Sequence, residues 1–386
     1  MRLFAIFAHT AFPSAFRSFA LATVLATQAG LCASAQTNGE LQELVAAQVE
    51  PWLDVGAGAA VVIRDQGRTT FINLGYADRK SGRRVSPDAI FNLASVGKLF
   101  AATLLAQAVQ RGELRLDDPV AKYVTELQRG GDIGRVTLGQ LASHTSGLTR
   151  GPGEYEPWHH GKYTLPDFIR YLNDWRADPQ HQPGGQSIYS NSAFVLLRLA
   201  LERRFDMPFA ALMESRILKP LGMASTALIL TPALKRRAVQ GYGPAGRPIG
   251  EPGERQGIFA FPSAGQVHSS ARDMATFLAA NLGELPNQDP LEQAMKFAQQ
   301  PVFTVNPRFT QALAWQRVRN DGLTIVDKNG GLNNTSTYIG MIPDRGLGVV
   351  ILCNRGKVPA TRIGRQILLA LVHGGGPTIE DGMEGD

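Results

Sequence analysis

Ser95 and Lys98 stand three residues apart at the start of a helical pattern, close enough on one helix face for their side chains to meet. The apolar, strand-like run Phe91-Asn92-Leu93-Ala94 leads into Ser95, and residues 96 to about 110 are rich in Ala and Leu. A serine hydroxyl becomes a good nucleophile when a neighbouring base takes its proton. A lysine can take it only as the neutral amine, a form favoured by burial against an apolar helix face. Leu93, Leu99 and Phe100 are available to build that setting. The same spacing also fits a helix N-cap serine followed by a lysine in the first turn.

Two further short patterns carry suitable chemistry. Tyr189-Ser190-Asn191 precedes a helical stretch, and Lys328-Asn329-Gly330-Gly331 ends a strand-like one. Acyl transfer needs a nucleophile, a base for its proton, an acid for the leaving group and donors for the oxyanion. A tyrosine held near lysines, whose positive charge favours the phenolate, can shuttle that proton. Lys328 supplies such charge and an attraction for a substrate carboxylate. Gly330 and Gly331 leave a strand edge bare, so a backbone N–H can point at an oxyanion. Taken singly, Tyr-x-Asn also describes loop packing, and Lys-x-Gly a strand end turning in solvent.

The surrounding pattern must bring these three segments together. Residues 40–49 read as an amphipathic helix, and 59–63 and 69–75 as strands joined by a turn at Asp65-Gln66-Gly67. Helices are predicted over 168–175, 193–204, 209–217 and 271–282, while 287–307 has no clear pattern. Strands follow at 313–318, 323–328, 335–342 and 346–353, with a closing helix over 360–372. Strands at both ends with helices between them predict an α+β fold. Its antiparallel sheet is flanked by helices and completed by returning strands, and an all-helical lobe over roughly 120–262 is inserted in it. A cleft between two such parts is a usual place for an active site.

Length and charge narrow the classes. The 386 residues suffice for one large core, and 44% hydrophobic with 19% charged residues is an ordinary globular balance. The formal net charge of +6 comes without a basic run, which points away from nucleic acid. Arg2 and Arg17 flank an acid-free start, Phe19 to Leu31 is apolar, and Ala33-Ser34-Ala35 offers a small-x-small cleavage pattern. Residues 1–35 therefore read as a secretory signal, leaving a single catalytic domain over 36–386 in the periplasm. Leu31 before Cys32 argues against a lipid anchor. Cys353 then has no internal disulfide partner. Trp158-His159-His160 and His181 lack metal-ligand spacing, so neither a metal nor another cofactor is expected.

Ser95-x-x-Lys98, Tyr189-x-Asn191 and Lys328-x-Gly330, in this order, resemble the three signatures of class C β-lactamases. These belong to the penicillin-recognising serine enzymes, with D-alanyl-D-alanine carboxypeptidases and family VIII esterases. The likeness includes Gly112 to Val120, Ser143-His144-Thr145-Ser146-Gly147-Leu148, Leu218 to Met223, Ser269 to Met274 and Gly346 to Val350. It implies the β-lactamase/transpeptidase-like fold. It also implies Ser95 as nucleophile, Lys98 as its partner, Tyr189 as general base and acid, and Lys328 as ligand of tyrosine and carboxylate. Asn191 would bind a substrate amide, the N–H groups of Ser95 and Gly331 the oxyanion, and Arg362 would lie near the carboxylate end. The His144 loop is structural in that family. Asn329 stands where the family usually has threonine, and Leu332-Asn333-Asn334-Thr335 where a glycine-rich turn is common. Thr149-Arg150-Gly151 replaces a glutamine site, and Pro359 a family asparagine. All four departures touch recognition and leave the catalytic trio in place.

The resemblance implies an enzyme that opens β-lactam rings through a Ser95 acyl-enzyme, and a monomer is the default expectation. The same motifs serve carboxypeptidases or endopeptidases on peptidoglycan stem peptides, and esterases. A β-lactam sensor that stays acylated would call for a membrane anchor or signalling domain, and the sequence displays neither.

Overall fold

The computed structural model describes residues 37–127, 131–149, 164–254, 266–285 and 289–374. The leader-like segment 1–35, Gly151-Pro152-Gly153 and Trp158-His159-His160 lie outside them.

Helix α1 (Asn38–Val49) starts with Thr37 and Glu40 capping each other. The hairpin β1 (Gly58–Asp65) and β2 (Arg68–Asp78) follows, then the short strands β3 (Arg83–Arg84) and β4 (Ile90–Asn92). A tight turn over Ala94–Gly97 feeds α2 (Lys98–Gln110). The described elements named next are all helices: α3 (Leu138–Ala142), α4 (Leu165–Asp174), α5 (Asn191–Phe205) and α6 (Phe209–Met213). Past Met213 the expected helix widens into a π-type turn over Glu214–Leu218. Strand β5 (His268–Ser270) pairs with β4 and leads into α7 (Ala271–Leu282).

The unassigned stretch 287–307 contains α8 (Pro290–Ala298), capped by Asp289, and β6 (Phe303–Asn306). Strands β7 (Phe309–Gln311), β8 (Gln316–Asn320), β9 (Leu323–Leu332), β10 (Thr335–Ile342) and β11 (Leu347–Cys353) precede α9 (Ala360–His373). The expected strand 313–318 is displaced. Ala312 to Trp315 form a buried turn with Ala314 at φ 61°, so their apolar character reflects burial and not strand pairing. Strand β9 also runs past Lys328, because Gly330 and Gly331 continue the ladder opposite Thr337 and Ser336.

Nine antiparallel strands form one sheet in the order β3-β2-β1-β11-β10-β9-β8-β7-β6. Alternate residues of β1 serve opposite faces: Ala60 and Val62 join a core with α2, α5 and α7, while Val61 and Ile63 join one with α1 and α9. Both faces are covered, which explains why β1 and β11 read as continuous apolar runs.

Asn354, directly after β11, is fully buried. Its Oδ1 accepts from the Gly58 N–H at 2.7 Å, and its Nδ2 donates to the carbonyls of Tyr76 at 3.0 Å and Gln240 at 2.8 Å. One side chain thus ties β1, β2 and a loop of the helical part together. Asn354→Ala orphans those buried groups and should cost about 3 kcal/mol of unfolding free energy, measured by urea denaturation. A loss below about 0.5 kcal/mol would show the three bonds to be replaceable by water.

Candidate active site

The local chain path at Ser95 is strained in a compensated way. Ala94 adopts φ 47°, a left-handed conformation unfavourable for a residue with a Cβ. Its N–H donates to Oδ1 of Asn92 at 2.8 Å. Ser95 follows at the head of the turn into α2, half-buried, and Lys98 one turn later is fully buried.

Strands β9 and β10 hold this turn from beneath. Oγ1 of Thr335 shares its proton between the Cys353 carbonyl at 2.9 Å and the Asn92 carbonyl at 3.2 Å, and Oγ1 of Thr337, two residues on, donates to the Leu93 carbonyl at 2.8 Å. Gly330 closes the seam. A Cβ there would stand 2.5 Å from Thr337 Oγ1, 2.6 Å from the Leu93 carbonyl oxygen and 2.8 Å from the Ser95 nitrogen. No side chain larger than hydrogen fits. Gly331 is exposed, with open space where a Cβ would be.

The second segment arrives from the helical part. Ser190 caps α5 by accepting from the Ala193 N–H at 3.0 Å, which fixes Tyr189 just before the helix and Asn191 in its first turn. His144 supports it from behind. Its carbonyl accepts from the Ile188 N–H at 2.7 Å, its Nδ1 accepts from the Ser190 N–H at 3.1 Å, and its ring lies 4.6 Å from that of Tyr189. Because Nδ1 accepts, the proton of the neutral ring is on Nε2, which is buried without a partner among the described residues. Burial first, then the charges of Lys328 and Lys98, hold His144 well below the usual histidine range, so the ring stays neutral.

These segments bring five of the sequence-predicted residues together, with Tyr189 and Lys98 in contact with the Ser95 oxygen. Ser95 Oγ and the Tyr189 hydroxyl share a short hydrogen bond. Lys98 Nζ donates to Ser95 Oγ at 3.1 Å and to Asn191 Oδ1 at 2.8 Å. Lys98 Nζ lies 4.9 Å and Lys328 Nζ 4.8 Å from the centre of the Tyr189 ring. Two lysine nitrogens therefore flank one tyrosine that touches one serine. Such an arrangement can pass a proton from the serine and favours negative charge on the phenolic oxygen.

The other predicted residues take different places. Asn329 is half-buried on β9, opposite Tyr338. Arg362 is exposed in the first turn of α9, and no hydrogen bond or ion pair joins it to the Ser95 cluster among the described residues. Pro359 occupies the N-cap of that helix. His181 is partly exposed with Asp178 at 3.7 Å, and no group of His, Cys, Asp or Glu among the described residues is placed to hold a metal. A hollow of about 420 Å³ at Pro307, Arg308, Arg319 and Asp321 lies on the β7–β8 side of the sheet, and neither Ser95 nor Tyr189 lines it.

Sequence reasoning passed over the residues behind Lys328. Asp327 is buried with Arg365 and Tyr338 on the α9 side. Arg365 had a readable signal, an arginine one turn before the apolar pair Leu368 and Leu369.

The chain is similar to known proteins over most of its length. A family model described as Beta-lactamase matches residues 45–373. A beta-lactamase of Pseudomonas fluorescens is 27% identical over 359 residues, covering 84% of this chain and 96% of that protein. The solved D-alanine carboxypeptidase AmpC from Burkholderia cenocepacia is 28% identical with a TM-score of 0.74, over 86% of this chain and 100% of that one. A tyrosine-to-phenylalanine variant of a class C beta-lactamase is similar in fold, with a TM-score of 0.76 at 22% identity over 87% of this chain and 99% of that one.

Two predictions come from this geometry. Gly330→Ala must push the Ser95 turn off the sheet and should lower kcat/KM at least about 100-fold, since small misplacement of a nucleophile is costly. Gly331→Ala should leave the melting temperature unchanged. The second prediction concerns Lys328, whose burial pulls it down to about 8 from an ordinary 10.5, against the attraction of Asp327. The unfolded chain therefore binds more protons between these values, so Lys328 makes stability rise with pH from about 8 to about 10.5. The slope should reach about 1 kcal/mol per pH unit in urea titrations. It should vanish in Lys328→Met.

Proposed function

Because the chain belongs to the beta-lactamase family and is a serine hydrolase of that kind, we propose that it is a periplasmic class C-type enzyme opening β-lactam rings through an acyl-enzyme on Ser95. The observation that carries this reading is the Ser95 oxygen in contact with both the Tyr189 hydroxyl and Lys98 Nζ, with Lys328 across the tyrosine ring.

Tyr189, as phenolate between the two lysines, takes the Ser95 proton. The freed oxygen attacks the ring carbonyl, whose developing negative charge meets the N–H groups of Ser95 and Gly331. The C–N bond breaks, and the proton passes from Tyr189 to the departing nitrogen. A water then attacks the ester, gives its proton to Tyr189, and Ser95 leaves with it. Asn191, oriented by Lys98, offers its amide to the substrate, while Lys328 attracts its carboxylate. No metal or cofactor is required. The signal-like pattern of residues 1–35 supports export, and no helix among the described residues is long and apolar enough to cross a membrane.

A second reading, a D-alanyl-D-alanine carboxypeptidase on peptidoglycan stems, is favoured by the name of the Burkholderia cenocepacia structure. Both readings need the same acylation and differ in how fast water reaches the ester.

Purified protein and a Ser95→Ala control are incubated with a penicillin, a cephalosporin and a carbapenem. Ring opening is followed by absorbance and adducts by intact mass. The β-lactamase reading expects rapid turnover that falls by about 10⁴-fold or more in the control. A stable Ser95 adduct without turnover moves the assignment to the carboxypeptidase. Folded protein showing neither result would sink both readings and turn attention to esters.

A further inference from the structure

Strand alternation places Lys328 and Asp327 on opposite faces of β9, Lys328 toward Tyr189 and Asp327 toward α9. The Asp327 carboxylate is 1% exposed and is gripped by three donors. Arg365 reaches it with Nε at 2.7 Å from Oδ2 and Nη2 at 3.3 Å from Oδ1, a two-pronged contact from the middle of α9. The Tyr338 hydroxyl donates to the same Oδ2 at 3.1 Å.

The surroundings are shaped for this cluster. Gly340 is the cross-strand partner of Asp327, and a Cβ on it would stand 2.1 Å from the Tyr338 hydroxyl. A Cβ on Gly364 would stand 2.2 Å from the ring of Tyr338. Two glycines thus clear the path along which the tyrosine reaches the carboxylate. A buried ion pair is a weak source of stability, since desolvating both charges offsets most of their attraction. Its place directly beneath the site lysine is then the feature to explain.

We propose that Asp327, clamped by Arg365 and Tyr338, is a positioning residue for Lys328: it supplies, through the sheet, the negative charge that keeps the buried Lys328 ammonium protonated and fixed over Tyr189, ready for a substrate anion. The proposal rests on the acyl-transfer reading above for its consequence, though not for its geometry. The groups around Lys328 give it little other support. On its own face it meets the Tyr189 ring, which Lys98 also approaches to 4.9 Å and against which neutral His144 packs. Across the ladder, Ile339 of β10 brings no charge. Burial works against the ammonium, and among the described residues Asp327 is a carboxylate that attracts it. Arg365 holds that carboxylate from the far side through two N–H groups.

The test uses the full protein with lysines labelled at Cε, so that Lys328 is titrated directly by NMR, with Lys328→Met for assignment. The proteins are wild type, Asp327→Asn, the double variant Asp327→Leu/Arg365→Met, and Arg365→Lys. The double variant leaves no unpaired buried charge, so it remains measurable if Asp327→Asn fails to fold. The wild-type Lys328 should titrate near 8. Loss of the carboxylate in either Asp327 variant should lower that midpoint by about one unit, while Arg365→Lys, which keeps the charge, should hold it.

The second readout is the apparent second-order rate of attack on benzylpenicillin from pH 6 to 10, as kcat/KM or as adduct formation by mass. Its alkaline limb should move down with the Lys328 midpoint, giving about tenfold slower attack at pH 9 in the Asp327 variants and little change at pH 6. A double variant that melts like the wild type and keeps the Lys328 midpoint unchanged would overturn the proposal and leave the cluster a purely structural one. So would a midpoint that moves while the limb stays put. Absence of any attack by the wild type on benzylpenicillin counts against the proposed function instead, and the NMR titration then decides this inference alone.

Discussion

The contact on which the site depends is that between backbone and backbone at Gly330. The turn carrying Ser95 lies so close on β9 that a single methyl group would collide with the Leu93 carbonyl and the Ser95 nitrogen. Two threonines of β10 lock the same turn by its carbonyls. Nucleophile and oxyanion-side strand are thereby set against each other by main-chain packing, which has fewer soft degrees of freedom than side-chain contacts. The strained Ala94 conformation is held within this seam. Everything else in the site is added to that pair: Lys98 by its helix, Tyr189 by the α5 cap and His144, Lys328 by its own strand.

Charge is arranged with similar economy. Two buried lysines within 5 Å of one tyrosine ring would be costly without compensation. Asn191 satisfies one of them by a direct hydrogen bond. The other is met by a carboxylate on the reverse face of its strand, itself paired to an arginine. His144, close to both, stays neutral and contributes an acceptor nitrogen and a ring face.

Much of this was legible in the chain. Ser95 with Lys98 shows as a spacing, and the β1 and β11 runs show as strands, because helical period and unbroken apolar stretches are local properties. The motifs also announced Tyr189 and Lys328 as neighbours through family likeness. What stayed hidden depended on contacts between distant segments. Asp327 beside Lys328 looks like an ordinary surface pair until α9 covers it, and Asn354 looks like a strand-end residue until three segments converge on it. The turn at Ala312 to Trp315 was misread as strand because burial gives loops and strands the same apolar composition. Gly330 and Gly331 read as a strand end, whereas they continue it, since the ladder needs only backbone atoms.

Strand β1 is flanked in the sheet by β2, its immediate successor, and by β11, the last strand among the described residues. The first hairpin therefore carries an open edge until Leu347–Cys353 has been made. Loop closure over such a separation is slow, and an unpaired apolar strand edge is a template for association with other chains. For this fold the hazardous period is the wait for β11, which makes a holding partner during synthesis more valuable than extra stability in the finished sheet.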